Sequence, residues 1–229
     1  PSTVFLNMSP VYNETYWAEK VFYLCEREPS FIQFLEGHGI SGTEHPELDC
    51  TPDLLEQYER EHGSEYQIGL REYISPYVSS QDLMEAEQDP LLTLGSHLYA
   101  HYNVRTLSDG VLAEQYRKNF EALSSFKSAL PVFAFPFGHP GSCFSMEQAG
   151  SLLAMGATRL FTSWPQPNYS PDSLVLDRVA MLQKHDRRSQ LWFQVLRRPL
   201  LRMVGRLGTQ WDYPQEIPED WPIAPRPPE

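Results

Sequence analysis

His97 and His101 stand four residues apart in Ser96-His97-Leu98-Tyr99-Ala100-His101, directly after the apolar run Leu91-Leu92-Thr93-Leu94-Gly95. Such a run reads as a short buried strand. The histidines then fall at its carboxyl end, where both imidazoles can reach one cation. Imidazole suits Zn²⁺ and related divalent ions, and a catalytic zinc typically has three protein ligands and an open position for water. The pair points to a divalent metal, zinc for preference, and is one ligand short. Histidines at this spacing also occur on surfaces and in hydrogen-bonded cores, so the surrounding sequence has to decide.

The elements that position the pair are legible from punctuation and periodicity. Ser2-Thr3-Val4-Phe5-Leu6 is apolar and β-branched without alternation, as in an inner strand buried on both faces. From Tyr16 to Leu35 apolar residues recur at helical spacing and are broken by Pro29, which predicts a helix pair. Ser79-Ser80 can cap a helix leading into the Leu91–Gly95 strand, and Ser108 can cap one through Leu123, with Leu112, Tyr116, Phe120 and Leu123 on one face. Pro131-Val132-Phe133-Ala134-Phe135 is the next strand. Ser145-x-x-Gln148 is a capping box, Gly156 ends that helix, and Thr158 to Thr162 and Leu174 to Met181 are further strands. Repeated helix-strand alternation implies an α/β fold with a parallel sheet, open or closed into a barrel, and function at the strands' carboxyl ends.

The context of the histidines carries a resemblance. Gly95-Ser96-His97-x-x-x-His101, then Leu107-Ser108 and a helix, then Phe133-Ala134-Phe135-Pro136-Phe137-Gly138 and a helix ending in Met155-Gly156-Ala157, resembles the polysaccharide deacetylases of carbohydrate esterase family four. The likeness runs from about Ser2 to Arg178. It implies a distorted parallel (β/α) barrel with fewer than eight strands, its first strand not included in this chain. It also implies metal-dependent hydrolysis of an amide C–N bond, removing N-acetyl groups from an acetamido sugar in a polysaccharide or its lipid-linked precursor. An O-acetyl esterase, or a glycan-binding pseudoenzyme that keeps the fold without the chemistry, are the alternatives.

Residue by residue, the family's His-Ser/Thr-x-x-His motif falls on His97, Leu98 and His101, with Leu98 lacking the hydroxyl that would brace the loop. The third motif falls on Ala134 to Gly138, without its arginine and with Phe137 in place of tyrosine; the Phe137 backbone N–H remains as the oxyanion donor. Leu176-Asp177-Arg178 resembles a late Leu-Pro-Arg, although an ordinary strand arginine reads the same way. His139, next to the third motif, is the expected general acid, with His185 as the alternative. The family's Asp-Asp pair, which supplies the third ligand and the base, has no counterpart near Asn7-Met8. It is expected upstream of Pro1, so this chain by itself is expected to release little acetate.

Aromatic residues at or after strand ends, Phe135, Phe137, Trp164 and Tyr169, can stack on sugar rings, and with Arg178 they are the candidate substrate contacts. Residues 26–89 hold sixteen of the thirty acids against three arginines, which reads as a solvated helical insertion in one domain over 1–211. A Pro-rich tail with six prolines follows over 212–229. Arg187, Arg188, Arg197, Arg198, Arg202 and Arg206 are interleaved with apolar residues, which fits weak contact with a membrane surface or a packed helix with solvated arginines. The net charge of -12 argues against a nucleic-acid partner, and an acetylated glycan is the partner the resemblance implies. Three scattered cysteines form no disulfide framework and lean towards a reducing compartment.

Overall fold

The computed structural model describes residues 1–40, 45–74, 76–164, 168, 170 and 172–178. The end of the expected strand to Met181, Tyr169, His185, the arginine-rich 187–206 segment and the tail over 212–229 lie outside the described residues. The chain divides into two compact units, one covering Pro1–Leu130 and one that begins at Pro131.

Strand β1 (Ser2–Leu6) leads into a one-turn helix α1 (Met8–Val11) and then into a helical lobe. The lobe comprises α2 (Trp17–Arg27), α3 (Pro29–Gly37), α4 (Pro46–Asp49), α5 (Pro52–His62), α6 (Gln67–Tyr73) and α7 (Ser80–Ala86). Pro29 does not merely break the pattern. It occupies the first turn of α3, where its missing N–H costs nothing. Ser79 caps α7 in a reciprocal box with Asp82.

After the lobe come β2 (Leu92–Ser96), α8 (Asp109–Leu123), β3 (Ala129–Ala134), α9 (Met146–Ala154), β4 (Arg159–Phe161) and β5 (Val175–Leu176). Both expected caps are present. Ser108 accepts from the Val111 N–H, and Ser145 and Gln148 form the reciprocal box. Gly156, at φ +107°, takes the left-handed position that closes α9. The five strands form one parallel sheet in the order β1-β2-β3-β4-β5, so the α/β class with a parallel sheet is as expected.

Two expectations need correcting. β1 is not buried on both faces: it lies at the edge of the sheet, with Ser2, Thr3 and Val4 exposed and Phe5 and Leu6 half-buried. An apolar run reports strand propensity, but burial depends on neighbours, and among the described residues β1 pairs only with β2. The acidic segment is also more than a solvated insertion. Phe31, Phe34, Leu35, Leu55, Tyr58 and Leu70 pack with Trp17, Val21 and Leu24 into a core of their own. A separate core beneath β2 gathers Met8, Val11, Leu83, Leu94, Tyr99, Leu123 and Phe126.

Candidate metal and substrate site

The histidine loop is built at the carboxyl ends of β1 and β2. In the parallel register Leu6 pairs with Ser96, and the His97 N–H continues the ladder by donating to the Leu6 carbonyl at 3.0 Å. Beyond it the backbone turns through two left-handed residues, Leu98 at φ +67° and His101 at φ +59°. Non-glycine residues adopt this conformation at a cost of ~1–2 kcal/mol each, so other contacts must hold the loop.

Those contacts come from two asparagines. Asn7, the first residue after β1, donates its side-chain amide to the carbonyls of His97 and Leu98, the latter at 2.8 Å. Asn119 on α8 is fully buried. It donates to the Leu6 carbonyl at 2.9 Å and to Ser96 Oγ at 2.7 Å, and accepts from the Met8 N–H at 2.9 Å. Gln115, also on α8, accepts from the Ala100 N–H at 3.1 Å. One face of α8 thereby ties both strand ends to the loop, while Leu98, 0% exposed, drives its side chain into the core. The bracing that Leu98 cannot give through a hydroxyl is supplied to the same loop by Asn7.

This arrangement brings the imidazoles of His97 and His101 together, with ring centroids 4.8 Å apart and planes inclined at 69°. As residues, both histidines are half-buried. Burial, with a smaller contribution from His97, lowers the His101 pKa to about 3, so its ring is neutral at physiological pH, as a metal ligand must be. Tyr16 packs on His101 at 5.0 Å between ring centroids. The Tyr16 N–H donates to the Tyr77 hydroxyl at 3.0 Å, and Tyr77 in turn donates to Glu19. Burial, then Glu19, Tyr77 and Glu47, push the Tyr16 phenol above its ordinary value, so it stays protonated. The donor types fit two positions of a divalent-metal site. Among the described residues, no group of three His, Cys, Asp or Glu side chains completes one.

The second unit holds the other candidates. Phe137 (φ +60°) and Gly138 (φ +73°) turn the chain after β3, and the Ser163 N–H donates to the Gly138 carbonyl at 2.9 Å. A Cβ on Gly138 would stand 2.6 Å from the Ser163 nitrogen, so glycine is required here by both dihedral and space. Phe137 is half-buried. His139 is exposed, and its ring meets that of Trp164 edge-on at 5.8 Å. The Arg178 Nε–H donates to the Thr162 carbonyl at 2.7 Å, and the Thr162 hydroxyl donates to Asp177 at 2.5 Å. Burial lowers the Arg178 pKa.

Phe135 does not serve as expected. It is 0% exposed and stacked on Phe144 at 3.7 Å, nearly parallel at 7°, so it has no ring face for a sugar. A position near a strand end did not reveal that its side chain points into the core. Trp164 and Phe137, each half-buried, retain exposed surface.

Near Asn7-Met8 the family's Asp-Asp pair has no counterpart, and no motif singles out Asn119 or Tyr16. The only local signal for Asn7 is a polar residue directly after a strand. The partners of Asn119 lie 23 to 113 residues away and leave no trace in spacing. No protein-family model matches the chain, and no curated protein matches it.

Proposed function

We propose that the chain forms part of a metal-dependent deacetylase that hydrolyses the N-acetyl group of an acetamido sugar in a glycan, built on a (β/α) barrel with fewer than eight strands. The observation that supports it best is the convergence of His97 and His101 at the carboxyl end of a parallel strand, on a loop held in left-handed conformation by Asn7. A divalent ion held there, zinc for preference, would supply the Lewis-acid chemistry that activates water and polarises the amide carbonyl. His97 and His101 are the residues that would hold it, each through a ring nitrogen. In this reading the Phe137 N–H donates to the developing oxyanion, His139 gives a proton to the departing amine, and Trp164 and Arg178 contact the glycan. The third ligand and the base are carboxylates from outside the described residues.

Two departures from the family's motifs, Leu98 in place of a hydroxyl residue and Ala134 in place of arginine, favour one second reading, a glycan-binding relative without hydrolysis. Metal content and acetate release separate the two. The intact protein, loaded with zinc and desalted, is expected to retain one metal ion that His97→Ala or His101→Ala removes, and to release acetate from N-acetylated chitooligosaccharides until a chelator is added. Equal metal content in all three proteins would overturn the metal site. Retained metal without acetate release would leave the binding-only reading. In the same assay, His139→Ala is expected to lower kcat by about tenfold or more and to remove the alkaline limb of the pH profile, with metal content intact.

A further inference from the structure

Within the first unit the histidine loop is also met, almost residue by residue, from the helical lobe and the turn leading into it. The Tyr99 hydroxyl donates to Glu14 at 2.7 Å. The Tyr16 ring packs on His101, and the Trp17 ring meets that of Tyr102 edge-on at 4.8 Å. Asn103, 4% exposed, donates its side-chain amide to the Leu48 carbonyl at 2.8 Å. Leu48 lies in α4, where the preceding carbonyl, that of Glu47, accepts from the Trp17 indole N–H at 3.4 Å.

These contacts differ in what they hold. Asn7 and Gln115 act on backbone groups, and Glu14, Trp17 and Leu48 act on neighbours of His101. A fixed backbone still leaves the two side-chain torsions of an imidazole open. Tyr16 acts on the His101 ring itself, with centroids 5.0 Å apart and planes inclined at 51°, a separation at which aromatic rings attract one another. Tyr16 is in turn anchored on both sides. It directly precedes the first turn of α2, and its N–H, which has no partner within the helix, donates to the Tyr77 hydroxyl at 3.0 Å. Tyr77 donates to Glu19 in that same first turn, and the next residue, Trp17, is buried in the core of the lobe.

We propose that Tyr16, braced by Tyr77, is a positioning residue that sets the His101 imidazole against that of His97, a role that rests on the metal part of the proposed function and not on hydrolysis. Two readouts test it in the intact protein. Without metal, the ring centroids of His97 and His101, 4.8 Å apart, bring their carbon-bound protons within range of a nuclear Overhauser effect, and the Tyr16 ring current displaces the His101 resonances. With metal, zinc affinity is read by competition with a chromophoric chelator. Tyr16→Leu is expected to weaken the cross-peak between the two imidazoles and to lower zinc affinity about tenfold or more. Tyr16→Phe, which keeps the ring, should retain the wild-type values of both. Tyr77→Phe, which removes only the acceptor of the Tyr16 N–H, should move both in the direction of Tyr16→Leu by less.

If Tyr16→Leu fails to fold, Tyr77→Phe decides. An unchanged cross-peak in the deciding variant, or unchanged zinc affinity there while the wild type binds zinc, would overturn the positioning role. So would a loss in Tyr16→Phe as large as that in Tyr16→Leu, because the ring alone would then not suffice. A wild-type protein that binds no zinc, yet shows a cross-peak that depends on Tyr16, would overturn the metal site and leave the positioning of His101 standing.

Discussion

At the scale of single residues, His101 couples the candidate site to pH. Its folded pKa of about 3 lies below the ordinary histidine value of 6.5, so between these limits the unfolded chain takes up a proton that the folded chain refuses. Its contribution to stability is complete above pH 6.5 and is lost progressively as pH falls towards 3. His101→Gln should therefore narrow the difference between urea midpoints measured at about pH 7.5 and about pH 4.5. An unchanged difference would show that the folded and unfolded chains bind the His101 proton equally well, and so that burial does not lower its pKa. Asn7 holds the same loop through the backbone carbonyls of His97 and Leu98, and the loss of a group that orients metal ligands costs about 10–100-fold in metal affinity. Asn7→Ala is expected to weaken zinc binding on that scale while leaving stoichiometry at saturating zinc unchanged, read by competition with a chromophoric chelator.

At the scale of elements, the parts read correctly from sequence are those whose determinants are local. Ser79 and Ser145 each cap a helix through a residue three positions on, and Gly156 closes one through its own dihedral, so a short window of sequence holds both partners. Ser145→Ala should cost about 1 kcal/mol in equilibrium urea unfolding. Two glycines make a sharper comparison. Gly138→Ala places a methyl group 2.6 Å from the Ser163 nitrogen at a positive φ, whereas a methyl group added at Gly110, in the first turn of α8, meets nothing within 4 Å. Gly138→Ala should lower the melting temperature markedly, and Gly110→Ala should leave it unchanged or raise it slightly. What sequence did not disclose depends on distant partners. Asn7 reaches across 90 residues, and the exposure of β1 follows from the order of strands.

At the scale of the whole molecule, the acidic charge of residues 26–89 concealed a packed lobe, because composition counts the charges on the outside and not the aromatic residues between them. Phe31, at the centre of that lobe, is completely buried against Phe34 and Tyr58. Phe31→Ala should cost about 3–5 kcal/mol by removing its transfer free energy and leaving a void. If the lobe were only a solvated appendage, the same change would scarcely move the unfolding curve.

Among the described residues β1 forms the edge of the sheet, which has a consequence for how this chain behaves in concentrated solution. A parallel edge strand offers outward N–H and C=O groups to any extended segment that meets it, and Val4, 42% exposed, adds an apolar contact without a charge to repel the newcomer. Ser2 to Leu6 carries no lysine, glutamate or proline that would act as a gatekeeper. The purified chain is thus expected to self-associate through this edge, with light scattering that grows with concentration. Val4→Lys should suppress the growth without lowering the melting temperature, since the side chain already faces water.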